Sequence, residues 1–117
     1  MDTYSAISRE QIVTVSARAS AARQIGQAFA EVVGREPSAR RLWVSARDDA
    51  VRLWLLTDPL DLEAERRLYP LVDATAAVAD GAFIRLHVLN PQHGENADLC
   101  SVVPADSVEI ALHPART

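Results

Sequence analysis

Segment 41–57, RLWVSARDDAVRLWLLT, carries the triplet RLW twice, eleven residues apart, around a central ARDDA. Its two halves alternate, with Leu42, Val44 and Ala46 on one face of the first and Val51, Leu53 and Leu55 on one face of the second. That pattern predicts a β-hairpin. A two-residue loop (Asp48-Asp49) and a four-residue loop (Arg47 to Ala50) both set Ala46 opposite Val51, Val44 opposite Leu53, Leu42 opposite Leu55 and Trp43 opposite Trp54. A three-residue loop reverses the parity and mixes the faces, which a sheet with one buried face does not tolerate. Asp-Asp is not the favoured Asn-Gly or Asp-Gly pair of a two-residue turn, so the four-residue loop is expected. Both tryptophans then lie on the face opposite the aliphatic set.

The rest of the chain supplies what such a hairpin packs against. Ser8-Arg9-Glu10-Gln11 fits a capping box, with Ile7 and Ile12 in the staple positions. Ile12, Val15, Ala19, Ala22, Ile25, Phe29 and Val32 recur every three or four residues as one helical stripe, and Gly34 with Pro37 should end that helix near Val33. After Thr57-Asp58-Pro59, Asp61 is placed to cap a second helix carrying Leu62, Leu68, Tyr69, Val72 and Val78, with Glu63 and Arg67 at i,i+4. Pro70 should kink that helix or split it in two, and Asp80-Gly81 should close it. Ala82 to Leu89 reads as a third strand, Ile84, Leu86 and Val88 facing one way and Phe83, Arg85 and His87 the other, ended by Asn90-Pro91. After the polar loop 92–98, Leu99 to Val103 reads as a short edge strand. Ser107 to Leu112 reads as another, with Val108, Ile110 and Leu112 inward.

The expected class is therefore α+β, in the order α-β-β-α-β plus one or two C-terminal edge strands. The sheet should be small and mostly antiparallel, with two helices on one face. Residues 1–7 and 114–117 read as tails around a single domain, 8–113, which suits a chain of 117 residues.

Composition removes several functions. The net charge of −4 counts against broad phosphate neutralisation on nucleic acid. Every basic residue is arginine, so no lysine amine exists for a Schiff base or a phosphate loop. That bias, with abundant alanine, points to a GC-rich bacterial genome. No run approaches the roughly 18–20 apolar residues of a membrane span, and the N-terminal residues show no signal-peptide pattern. Cys100 is the single cysteine. The expectation is a soluble cytoplasmic protein.

No catalytic, cofactor-binding or metal-binding residue is assigned. His87, His93, His113 and Cys100 form no close-spaced ligand unit. Asp58, Asp61, Glu63 and Glu65 are read as a helix cap and first turn, where the macrodipole favours negative charge. The candidate surface is the outer sheet face, where Arg41, Trp43, Arg52, Trp54, Leu56, Phe83 and Arg85 gather beside Ser45 and His87 with no acid among them. Tryptophan and arginine are enriched at interface hot spots. The competing expectation is that loop 90–106 or the C-terminal segment covers this face and makes it core. Stacking of single-stranded bases on the same face is opposed by the chain's acidity.

Over residues 40–91 the order of elements after a leading helix resembles the core of minimal nucleotidyltransferase domains and of small uncharacterised bacterial domains. The resemblance implies Gly-Ser after the first strand and carboxylates on the second and third strands. This chain has Val44-Ser45, then Leu53, Trp54 and Leu55, and finally Arg85 and His87, so it resembles a relative lacking that activity. The same order is similar to roadblock-type dimerisation modules. The functional expectation is a non-catalytic binding or assembly module, most simply a homodimer. The alternatives are a divergent nucleotide-handling protein, with Asp58, Asp61 and Glu63 converging on Ser45 or Arg47, and the partner or antidote of a neighbouring gene product.

Overall fold

The computed structural model describes residues 21–47, 50–75, 78, 83–93 and 99–112. The capping box at Ser8, the early stripe residues Ile12, Val15 and Ala19, the loop tip Asp48-Asp49, the stop at Asp80-Gly81, loop residues 94–98, His113 and both tails lie outside them.

The first helix, α1, is helical over 21–33 within the described residues. Ala22, Ile25, Phe29, Ala30 and Val33 are buried on it, and the chain turns at Gly34 as expected. Val33 rather than Val32 completes the buried stripe. Gly26 permits close approach to the sheet. A Cβ there would lie 3.0 Å from Ile110 Cγ1 and 3.2 Å from Val44 Cβ and Cγ1.

Strands β1 (Ala39–Arg47) and β2 (Ala50–Thr57) form the hairpin. Its register pairs Trp43 with Trp54, Val44 with Leu53, Leu42 with Leu55 and Ala46 with Val51. Arg47 and Ala50 also pair, so the ladder runs one step further and the connection is the two-residue loop, not the four-residue one expected. Parity is unaffected, because the two loops differ by one residue on each strand. At the other end the register shifts between Ala39 and Arg41. That bulge leaves Arg40 unpaired in the ladder, and its Nε and Nη2 donate to Asp58 Oδ1 and Oδ2, both at 2.7 Å.

Strand β3 (Phe83–Leu89) runs parallel to β2, and β4 (Val108–Ile110) antiparallel to β1, giving the order β3-β2-β1-β4. Two of the three pairings are antiparallel. A parallel neighbour requires a crossover, and segment 58–82 supplies it. Asp61 caps α2 (Leu62–Arg66), accepting from the Ala64 amide at 2.8 Å. The helix then stops, and a 3-10 turn spans Tyr69–Thr75. Pro70 has no N–H for the Arg66 carbonyl and its ring would clash there, so of the two outcomes expected the split is realised. The break also changes the helix face. Leu62, Tyr69 and Val78 are exposed, while Leu60, Leu68, Leu71 and Val72 pack on the core.

One face of the sheet, bearing Leu42, Val44, Val51, Leu53, Leu55 and Ile110, buries itself under α1 and the crossover segment. This is a small α+β fold with a mixed, open sheet. Leu99 to Val103 is not a strand. Leu99 and Cys100 are helical, and the amides of Val102 and Val103 donate to the carbonyls of Leu99 and Cys100 at 3.3 and 3.2 Å.

Candidate functional site

The outer face of the sheet divides into two parts. The first is a small second core. Trp43 and Trp54 are 9% and 7% exposed and pack with Leu56 and Leu89 beneath Leu99, Cys100 and Val103. Trp54 Nε1 donates to the buried Ser45 Oγ at 3.3 Å, and its ring stacks on His87 at 4.1 Å and 15°. The tryptophans are thus covered by the chain's own 99–103 segment.

Arg41 closes one side of this core. Its guanidinium lies 4.6 Å above the Trp43 ring and forms a fork with Glu109, Nε to Oε2 at 2.9 Å and Nη2 to Oε1 at 2.8 Å. Hydrogen bonding across the pair raises the Arg41 pKa and lowers that of Glu109. The face is therefore not free of acid, in contrast to the sequence expectation. Glu109 sits directly opposite Trp43 because β4 pairs with β1. Outward alternation of β4 was legible, but not which strand it would join.

The second part is open. Phe83 is 65% exposed at the start of β3. The Arg85 guanidinium reaches over its ring at 5.7 Å. Arg52 on β2 pairs with Arg85 in the ladder, as Trp54 pairs with His87. Arg52 Nε and His87 Nε2 are buried without a hydrogen-bond partner. Burial first, then the charges of Arg52 and Arg85, hold the His87 pKa below its ordinary value. Among the described residues, neither Arg52 nor Arg85 makes an ion pair. Of the seven candidate interface residues, Trp43, Trp54 and Leu56 are therefore internal, Arg41 is committed to Glu109, and Arg52, Phe83 and Arg85 form the open patch.

The carboxylates near the crossover do not converge. Asp58 binds Arg40, which lowers its pKa through that hydrogen bond. Asp61 caps α2, and Glu63 accepts from Arg67 Nη2 at 3.0 Å. Ser45 lies apart from them, under Trp54. Glu65 accepts from Tyr69 Oη at 3.2 Å and from Asn90 Nδ2 at 2.9 Å. Among the described residues no group of three or more histidine, cysteine or acidic side chains is placed to hold a metal ion. The side chains of His93 and His113 lie outside the described residues, and Cys100 helps to cover the tryptophans.

Asn90, read from sequence only as a strand terminator, is a buried clamp. Its Nδ2 also donates to the Leu60 carbonyl at 2.8 Å, and its Oδ1 accepts from the amides of Leu60 and Gln92 at 2.9 and 3.0 Å. It fixes the end of β3 to the start of the crossover. The Asn-Pro pair signalled the turn, but nothing local marked the partner 30 residues away.

Among the described residues no helix is long and apolar enough to cross a membrane. Comparison with known proteins finds no matching family model, curated protein or solved structure.

Proposed function

We propose that the protein is a non-catalytic binding module that accepts a protein partner along the outer edge of β3 and across the adjoining patch. One observation carries this reading. Among the described residues β3 has a ladder partner on one side only, and beside its free edge stand an exposed Phe83 and Arg85, with Arg52 one strand further in and neither arginine in an ion pair. An unpaired edge offers a row of amides and carbonyls that templates strand addition. Cytoplasmic location belongs to the same proposal, supported by a single cysteine that has no internal disulfide partner.

A second copy of the chain is the other reading, favoured by the exposure of Phe83. A two-fold antiparallel pairing centred on Arg85 or Leu86 would set Arg85 against Arg85 or His87 of the other copy. Arg85 directly opposite Arg85 opposes the first of these registers. His87, with its lowered pKa, adds no such repulsion in the second, and it is the acid-free arginine pair that favours a different partner. Action as the partner or antidote of another gene product would be one form of such binding. The nucleotide-handling alternative would first have to release Asp58 from Arg40, Asp61 from the Ala64 amide and Glu63 from Arg67.

The test is backbone amide chemical-shift mapping during titration with a capped peptide alternating valine and threonine. Shifts concentrated in residues 83–89 are expected. A response centred elsewhere, or none even with the threonines exchanged for glutamate and for lysine, would refute edge binding.

A further inference from the structure

Resting on that reading, we infer that the strand accepted by β3 is an acidic one: an extended segment of another protein with carboxylates on alternate residues and an apolar residue beside them. The arginines of this sheet fall into two kinds. Arg40 and Arg41 are each neutralised by a two-pronged carboxylate, Asp58 and Glu109. Arg52 and Arg85 are direct neighbours in the β2–β3 ladder, and neither has an acid among the described residues. Like charges placed opposite each other in a sheet are unfavourable, and the chain as a whole has 16 acidic residues against 12 basic. The missing acid is thus local to this patch, and a bound carboxylate would supply it.

Hydrogen bonding in the patch is incomplete. Arg52 Nε and His87 Nε2 are buried without partners. Both atoms are closed to solvent, so an incoming carboxylate reaches the Arg52 Nε donor only once that side chain turns outward. Carboxylate oxygens are the acceptors that form forked bonds with guanidinium. The spacing along β3 suits a strand partner. Side chains two apart on an extended strand share a face, and β3 presents Phe83, Arg85 and His87 in that order on the same face. An added strand with the complementary sequence would set an apolar residue beside Phe83, one carboxylate at Arg85 and Arg52, and a second toward His87. Single-stranded nucleic acid shares the need for arginine and an aromatic ring. Its backbone carries no amides and carbonyls at strand spacing to continue the β3 ladder, and the net charge of −4 repels it.

Fluorescence anisotropy with three labelled, capped peptides separates these cases. Valine alternates with glutamate in the first, with lysine in the second and with threonine in the third, and a thymidine oligonucleotide serves as the fourth probe. The glutamate peptide should bind about tenfold or more tightly than the threonine peptide. Arg85→Glu should lose about that factor, and Arg52→Glu/Arg85→Glu should prefer the lysine peptide. If a glutamate variant does not fold, Arg85→Gln keeps the comparison by removing the charge without reversing it. Equal binding of all three peptides would overturn the acidic partner while leaving edge binding intact. Failure of all three would overturn both, and tighter binding of the oligonucleotide would overturn the peptide assignment in favour of nucleic acid.

Discussion

Removal of the Asn90 side chain should destabilise the fold by about 3 kcal/mol. The residue is 1% exposed and its amide makes four hydrogen bonds, three to backbone groups and one to the Glu65 carboxylate. A net ~1 kcal/mol for each neutral bond and ~1.5–3 for the charged one sets an upper figure of about 4.5–6 kcal/mol. Leu60 and Glu65 are only partly buried. Water can replace some of the lost bonds in Asn90→Ala, which brings the figure down to about 3. Urea unfolding followed by tryptophan fluorescence measures this as a lower midpoint at unchanged slope. Asn90→Asp sharpens the test. It keeps the acceptor for the Leu60 and Gln92 amides but turns a second oxygen toward two acceptors, the Leu60 carbonyl and Glu65. The new carboxyl should have a raised pKa in the fold. Its deficit against wild type should therefore shrink as pH falls through the carboxylate range, where a protonated oxygen donates again. A loss below ~1 kcal/mol in Asn90→Ala, or a pH-independent deficit in Asn90→Asp, would refute the clamp.

Three further outcomes follow from the packing. Gly26→Ala should gain up to ~1 kcal/mol of helix propensity yet lose ~1–3 to overpacking against Ile110 and Val44, a net destabilisation visible in thermal unfolding. Asp61→Ala should cost about 1 kcal/mol, and Asp61→Asn much less, by the same measurement. His87 has a lowered pKa in the fold. Below the ordinary histidine range the unfolded chain takes up a proton that the folded one resists, so stability should fall as pH drops through the folded pKa and hold steady above the unfolded value. In His87→Phe that part of the acid sensitivity should disappear.

The difference between what the sequence disclosed and what it hid follows the range of the interactions. Hairpin parity was legible because side chains in a strand repeat every two residues, so one pairing fixed Trp43 against Trp54 and every other partner. The Asp61 cap and the interruption at Pro70 were legible because both act within one helical turn. Leu99 to Val103 was misread because a short apolar run has the same pattern in a strand and in a helix end. A cover over Trp43 and Trp54 from loop 90–106 was the competing expectation and is what forms, but choosing it required knowing that the loop returns across the sheet. Glu109 and Asn90 were missed for the same reason, since their partners Arg41 and Leu60 are 68 and 30 residues away. The open patch at Arg52, Phe83 and Arg85 was named with the other candidate residues, but separating it from the covered tryptophans required the sheet order.

Hydroxyl-radical footprinting of the dilute protein, read residue by residue by mass spectrometry, tests the division of the outer face most directly. Free tryptophan reacts faster than free phenylalanine, so burial must invert the order if Trp43 and Trp54 lie under the chain's own 99–103 segment while Phe83 stands open. Rapid oxidation of Phe83 is expected, with Trp43 and Trp54 protected at every concentration. Tryptophans that oxidise first on dilution, or a protected Phe83, would contradict it.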